Sequence, residues 1–223
     1  MRLLSTKILS QDFRDRLLMH QFSLVELAFI KISFIENSKI DPTFDRLIFT
    51  SQNAVHAVLS SPKTLKMIEG KTAYCVGNKT AAILVENNLK VAKIAQNSSE
   101  LAHFLTKNHQ NEAFSYFCGK LRTNDLEEIL PAHGMDIQPI EVYATHLQNH
   151  AVKSHFDGIL FFSPSGVRGY AQSNGFENTH SFCLGNSTAK EVALHTSQYT
   201  VSKEPSKSQL LLLLKNHITL HEE

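Results

Sequence analysis

The stretch "CVGNKTA" at 75–81 returns as "CLGNSTA" at 183–189. Each copy runs from an apolar, strand-like segment into Gly, Asn, a polar residue and Thr-Ala, where a helical pattern begins. Gly77 and Gly185 let the backbone turn tightly. Asn78, Thr80, Asn186, Ser187 and Thr188 are of the types that cap helices. A helix start carries unsatisfied amides and partial positive charge, worth roughly 0.3–1 kcal/mol to an anion and about 2 kcal/mol when partly buried. One copy alone reads as an ordinary cap. Two copies, with further hydroxyls at Ser51 in "FTSQN" and at Ser163 and Ser165 in "FFSPSG", read as a shared anion-binding cleft. Asn53 and Gly166 belong to the same two turns.

The remaining reactive residues form no familiar constellation. No GxGxxG follows a strand, no GxxxxGK[ST] is present, and no GxSxG marks a nucleophile elbow. Ser163 and Ser165 have no base or orienting residue at recognisable spacing. The 12 histidines are scattered. His146 with His150, and His217 with His221, have i,i+4 spacing. The first pair straddles the end of a β-like run and the second lies in a polar tail, so both read as surface residues. Glu127 and Glu128 read as a charged helix face. Gly119 closes the apolar run "FSYFCG". Lys120 and Arg122 just beyond it offer either an anion contact or a solvated turn. Cys75, Cys118 and Cys183 are odd in number, widely spaced and set in apolar runs. They read as buried reduced thiols of a cytoplasmic protein.

These residues sit on a regular alternation. The runs "RLIFTS" (46–51), "TAYCVG" (72–77), "FSYFCG" (114–119), "DGILFFS" (157–163) and "HSFCLG" (180–185) each end in Gly or Ser. Uninterrupted apolar runs of this length are parallel strands covered on both faces. Between them, "AVHAVLSS", "KTAAILVEN", "SELAHFLTKN", "DLEEILPAHG" and "AKEVALHT" place apolar residues three and four apart. Strand–helix alternation predicts an α/β fold with parallel sheets. Three matches occur in order. "FTSQNAV" (49–55) aligns with "FFSPSGV" (161–167), the seven-residue phrase with its copy, and "NSSELAHFL" (97–105) with "PSKSQLLLL" (205–213). The offsets of 112, 108 and 108 positions predict two similar α/β halves.

Bulk properties limit the partners. Lys plus Arg number 22 against 21 Asp plus Glu, so no basic excess points to nucleic acid. "LLLLL" at 210–214 is far shorter than the roughly 20 residues of a membrane span and reads as a core-facing helix. The first 18 residues interrupt their apolar letters with charges and do not read as a signal peptide.

An ordered set of segments resembles the uroporphyrinogen-III synthase family. "IFTSQNAV" (48–55) resembles its first-half strand and turn, and "CVGNKTA" its Gly-x-x-Thr-Ala turn. "FCGKLRTNDLEEIL" followed by "IEVYATH" resembles its CG-x-x-R segment leading to a VY-x-T strand. "LFFSPSGV", "CLGNSTA" and "TVSKEPSKSQLLLLL" resemble the second-half turns and the C-terminal strand and helix. The likeness covers nearly the whole chain from residue 46. At the N-terminus, Thr6-Lys7 stands where the family often has Thr-Arg, which keeps charge but loses the bidentate fork.

The resemblance implies two flavodoxin-like α/β domains with parallel sheets, joined by a two-stranded β linker. Residues 1–33 and 148–223 would form one domain and 36–140 the inserted one, with crossover strands at 29–36 and 138–147. In the second crossover, Ile140, Val142 and Ala144 alternate with Glu141, Tyr143 and Thr145. The implied substrate is hydroxymethylbilane, a linear tetrapyrrole with eight carboxylates. The implied reaction expels its hydroxyl, inverts ring D and closes the macrocycle through an azafulvene cation and a spiro intermediate, with no metal and no organic cofactor. Tyr143 would be the catalytic acid, its phenol giving a proton to the departing hydroxyl. Thr6, Lys7, Gly119 and the turn residues above would bind substrate. The resemblance also implies a monomeric cytoplasmic enzyme in passing contact with the preceding deaminase. A non-enzymatic two-domain binding module is the alternative that shares the cleft and the repeat.

Overall fold

A computed structural model of the chain describes residues 1–35 and 40–219. Residue 36 of the first expected crossover strand, residues 36–39 of the expected inserted domain, and residues 220–223 with His221 lie outside the described residues.

The chain opens with β1 (Arg2–Ser5), α1 (Gln11–Met19) and β2 (Ser23–Glu26), then leaves along β3 (Ile30–Phe34). It next builds β4 (Arg46–Phe49), α2 (Gln52–Leu59), α3 (Pro62–Ile68), β5 (Thr72–Val76), α4 (Asn78–Glu86), β6 (Lys90–Ala95), α5 (Ser98–Asn108), β7 (Phe114–Gly119) and α6 (Asp125–Ala132). It returns along β8 (Ile137–Leu147). Then come β9 (Gly158–Phe161), α7 (Pro164–Ala171), β10 (His180–Cys183), α8 (Asn186–Val192), β11 (Tyr199–Val201) and α9 (Lys207–Thr219). Two compact units result. One is Met1–Lys31 with His146–Glu223; the other is Ile32–Thr145.

The first unit holds a five-stranded sheet in the order β11-β10-β9-β1-β2, parallel throughout. Successive residues of its central strands serve opposite faces, as the two-residue period requires. Leu3, Leu160 and Phe182 pack with Phe13, Leu17, Leu210 and Leu214 on the α1/α9 side. Leu4, Phe161 and Cys183 pack with Val167, Tyr170 and Val192 on the α7/α8 side. Covering both faces leaves no room for a polar alternation, so "GILF" is buried at all four positions. Each large side chain so buried contributes about 1.5–3 kcal/mol.

The second unit holds a six-stranded sheet in the order β3-β8-β7-β4-β5-β6. The pairs from β8 to β6 are parallel. Leu47, Phe49, Ala73 and Cys75 face Val55, Val58 and Leu84 of α2 and α4. Ile48, Tyr74, Tyr116 and Cys118 face Leu101, Leu105, Leu126 and Leu130 of α5 and α6. The α/β fold with parallel sheets predicted from the alternation is thus the fold adopted.

The two sheets share one plan. The series β4-β5-β6 has its counterpart in β9-β10-β11, which is the repeat visible in the letters. The remaining strand pair comes from different ends of the chain: β7-α6-β8 follows the series in one unit, whereas β1-α1-β2 precedes it in the other. The short α1 and the weakly patterned β2 and edge strand β6 carried too little apolar signal to be singled out. In α9, Leu210, Leu211 and Leu214 are buried while Leu212 is exposed. No described helix is long and apolar enough to cross a membrane.

All three thiols are buried and unpaired by disulfides. Burial pushes Cys75 up to about 11, and Cys118 and Cys183 up to about 12, from an ordinary value near 9. A thiol reagent at pH 8 is therefore expected to label none of them rapidly in the folded protein and all three after denaturation. Since the folded values are the raised ones, their stabilising contribution is complete below about pH 9 and is lost as pH climbs toward 12. A urea midpoint that rises between pH 9 and 11 would contradict this. Ser181 Oγ on β10 is sealed from solvent without a hydrogen-bond partner. Ser181→Ala removes an unpaired polar atom, and is expected to leave stability unchanged or raise it by about 1 kcal/mol in thermal melts.

Candidate active site

The carboxyl edge of each sheet is where its parallel strands release the chain into helices. In the second unit, Ser51 caps α2, its Oγ accepting the Asn53 N–H at 3.1 Å. In the first, Ser163 caps α7, its Oγ accepting the Gly166 N–H at 3.2 Å and lying 3.1 Å from Ser165 Oγ. These hydroxyls hold the turns that the matching "FTSQN" and "FFSPSG" segments suggested.

The repeated phrase behaves differently from an ordinary cap. Asn78 and Asn186 are the first helical residues, and the N-caps are Gly77 and Gly185. Neither helix has a side-chain cap. The capping role expected of Asn and Thr is therefore not played, because the glycine takes the cap position and offers no side chain. The first amides of α4 are left without an intrahelical acceptor. Both copies have the same burial sequence, in which Asn78, Lys79, Asn186 and Ser187 are exposed or half-exposed while the threonines are not. Thr80 is 3% exposed and Thr188 2%. Neither hydroxyl has a hydrogen-bond partner among the described residues, and neither is among the sealed polar atoms. Each hydroxyl is thus unpartnered and not fully sealed from solvent.

The glycines of the two copies differ. Gly77 has φ 83° and ψ 140°, a region that only glycine occupies without strain. Gly185 has φ −169° and ψ 174°, which is extended backbone available to any residue. A Cβ there would meet Pro205 at an ordinary 3.5 Å.

At the end of β1, Thr6 is fixed to the neighbouring strand. Its N–H and its Oγ1 both donate to the Leu160 carbonyl, at 3.1 and 2.8 Å. Lys7 is exposed, with Nζ 5.0 Å from the Phe162 ring centre.

In the second unit, β7 and β8 pair in register as far as Cys118 with Glu141, after which Gly119 pairs with Tyr143. The skipped residue, Val142, makes β8 bulge. The strict alternation expected for 140–145 fails here: Ile140, Val142 and Tyr143 all enter the same buried cluster. An extra residue on one strand turns the residues beyond it to the other face. Tyr143 is 8% exposed. Its hydroxyl has no hydrogen-bond partner among the described residues and is not sealed from solvent. The Lys120 N–H donates to the Tyr143 carbonyl at 3.0 Å.

Arg122 is already committed. Its Nε and Nη2 donate to both Glu127 oxygens at 2.7 and 2.9 Å. Its Nη1 donates to the Gly119 carbonyl at 2.9 Å and to Glu141 Oε1 at 3.0 Å. The anion contact considered for Arg122 is thus made within the protein, and Glu127 is an ion-pair partner rather than part of a solvated face. Nearby, Tyr116 Oη lies 3.0 Å from Thr50 Oγ1, and burial pushes its phenol up to about 12. Sequence reasoning missed these partnerships; Arg122 with Glu141 and Tyr116 with Thr50 are brought together by the sheet order, whereas Glu127 lies five positions along the chain from Arg122. His150 packs edge-on against Phe29, and the His217 ring centre lies 4.3 Å from that of His180. No group of three His, Cys, Asp or Glu among the described residues is arranged to hold a metal ion.

The uroporphyrinogen-III synthase HemD family model matches residues 11–211. No curated protein matches the chain significantly. Among solved structures, the chain is similar to uroporphyrinogen-III synthetase from Helicobacter pylori, with 23% identity, a TM-score of 0.72 and coverage of 97% of this chain and 100% of that one. It is similar to a mutant uroporphyrinogen III synthase from Thermus thermophilus at 14% identity and TM-score 0.71, with 100% of both chains covered. The wild-type Thermus thermophilus enzyme in another crystal form gives 15% identity and TM-score 0.55, again with 100% of both chains covered. At these identities the structural likeness is one of fold.

The unequal glycines yield a direct test. Gly77→Ala is expected to cost about 1–3 kcal/mol, while Gly185→Ala is expected to be nearly neutral. Urea midpoints measure both. Equal losses would mean that the two turns do not differ as described.

Proposed function

The chain belongs to the uroporphyrinogen-III synthase family, and on that premise we propose that it cyclises hydroxymethylbilane to uroporphyrinogen III with Tyr143 as the acid. The family is one of enzymes, cyclising lyases of porphyrin biosynthesis, and this membership displaces the binding-module alternative.

The chemistry begins with loss of water. The phenol of Tyr143 donates its proton as the terminal hydroxyl leaves, and the pyrrole nitrogen supplies electrons to form the azafulvene cation. The substituted carbon of ring D attacks to give the spiro intermediate. Its rearrangement completes the inverted macrocycle, and the proton then released from the ring restores the phenol, so the net change is one water lost. Orienting the ends of a flexible chain is the larger task, and such orientation is worth roughly 7–11 kcal/mol.

The observation that carries the acid assignment is the buried Tyr143 ring with an unpartnered, solvent-open hydroxyl. On the substrate side, the open hydroxyls of Thr80 and Thr188 and the uncapped amides of α4 are donors to carboxylates. Such donors suit a polyanionic substrate in a chain with 22 basic and 21 acidic residues. Lys7, Asn78, Asn186, Ser187 and the turn hydroxyls of Ser51, Ser163 and Ser165 supplement them, with Asn53, Gly77, Gly166 and Gly185 shaping the turns and Thr6 holding the β1 end. The same reading makes the protein a cytoplasmic monomer that needs no cofactor and receives a short-lived substrate from the preceding deaminase.

The test supplies freshly made hydroxymethylbilane and separates the oxidised products into type I and type III isomers. Mostly type III is expected. Tyr143→Phe is expected to lower kcat by about 10²-fold with little change in KM, and Thr80→Ala and Thr188→Ala are expected to raise KM. Only type I from folded protein would sink the activity. Unchanged turnover in Tyr143→Phe would remove Tyr143 from the mechanism.

A further inference from the structure

We infer that Gly119 and Arg122 are positioning residues, which set the Tyr143 phenol at its working place through close backbone contact and a guanidinium bridge. The inference rests on the reading of Tyr143 as the acid.

Gly119 is the last residue of β7 and pairs with Tyr143 across the bulge. A Cβ built on Gly119 would lie 2.5 Å from Tyr143 Cζ, 2.7 Å from Cε2 and 2.9 Å from the hydroxyl oxygen. All three are closer than a real Cβ approaches, so the hydroxyl-bearing end of the ring rests on the glycine backbone. Any side chain at 119 must push the phenol away. This gives the glycine a role other than direct substrate contact: its missing side chain is the seat of the ring.

The seat is held from behind. Arg122 Nη1 bridges the Gly119 carbonyl and Glu141 Oε1. It thereby ties the residue beneath the ring to the strand that bears the ring, two positions before Tyr143. Glu127 grips the other side of the guanidinium with two parallel bonds, an arrangement a lysine cannot reproduce. The Lys120 N–H to the Tyr143 carbonyl closes the set. All these groups belong to the second unit. A bulge alone leaves the strand end free to slip, whereas the bridge fixes which residue faces the glycine.

The experiment is a double-mutant cycle on the full chain, with kcat, KM and isomer ratio as readouts. Tyr143→Phe, Gly119→Ala and the double variant are compared. Gly119→Ala is expected to lower kcat by about 10²-fold, the scale of a misplacement near 1 Å, with KM within about two-fold. The double variant is expected to be no slower than the slower single variant. Near-UV spectra add an independent readout. The chain has no Trp and five Tyr, so the wild-type minus Tyr143→Phe difference isolates this ring, and Gly119→Ala should shift it. If Gly119→Ala does not fold by circular dichroism, Arg122→Lys takes its place in the same cycle, with the same expected pattern.

A large loss in Tyr143→Phe beside unchanged kcat in Gly119→Ala or Arg122→Lys overturns the positioning role and leaves the acid in place. Losses that multiply in the double variant, or an unshifted spectrum, overturn it too. Full activity in Tyr143→Phe fails at the earlier step and removes both.

Discussion

In a parallel sheet all strands point one way, so every helix that follows a strand starts at the same edge. The candidate chemistry of this chain depends on that constraint. It gathers Ser51, Gly77 and Gly119 at one edge of the second unit, and Thr6, Ser163 and Gly185 at the corresponding edge of the first. The same constraint forces both faces of each sheet to be covered, which is why the central strands read as unbroken apolar runs. Donors at such edges are largely backbone amides and short hydroxyls. A protein built on them can meet a polyanion without carrying an excess of cationic side chains.

Much of this was legible in the letters. The apolar runs of β4, β5, β7, β9 and β10 gave the sheets, and the twin phrases gave the turns. Turn chemistry is local, so it survives in seven residues. The hidden part depends on pairing between strands. No property of "EVYAT" reveals that Val142 is skipped against β7 and that Tyr143 therefore joins Val142 in the core. Nor does "CGKLR" reveal that Glu141, nineteen positions beyond Arg122, takes up the guanidinium. Arg122 illustrates the general difficulty: a basic residue near a site reads as a ligand contact until its acidic partners are found.

The twin phrases also show how far equal letters go. Gly77 and Gly185 occupy the same place in the repeat and the same end of equivalent strands, yet only Gly77 has a backbone that demands glycine. Thr80 and Thr188, by contrast, agree in burial and in their open hydroxyls. Identity of sequence here preserves the side-chain environment more closely than the backbone angles.

The interrupted first unit has a consequence for synthesis. β1 is synthesised before the inserted unit but lies between β2 and β9. Its hydrogen-bonding partner at Leu160 is 154 residues from Thr6. The inserted unit, residues 32–145, is finished before β9 exists. Nascent chains ordinarily fold from the N-terminal domain onward. Here the inserted unit has all its strands before the partners of the β1–α1–β2 segment are made, so Leu3, Leu4, Phe13 and Leu17 stay uncovered until β9 and the helices after it have been synthesised.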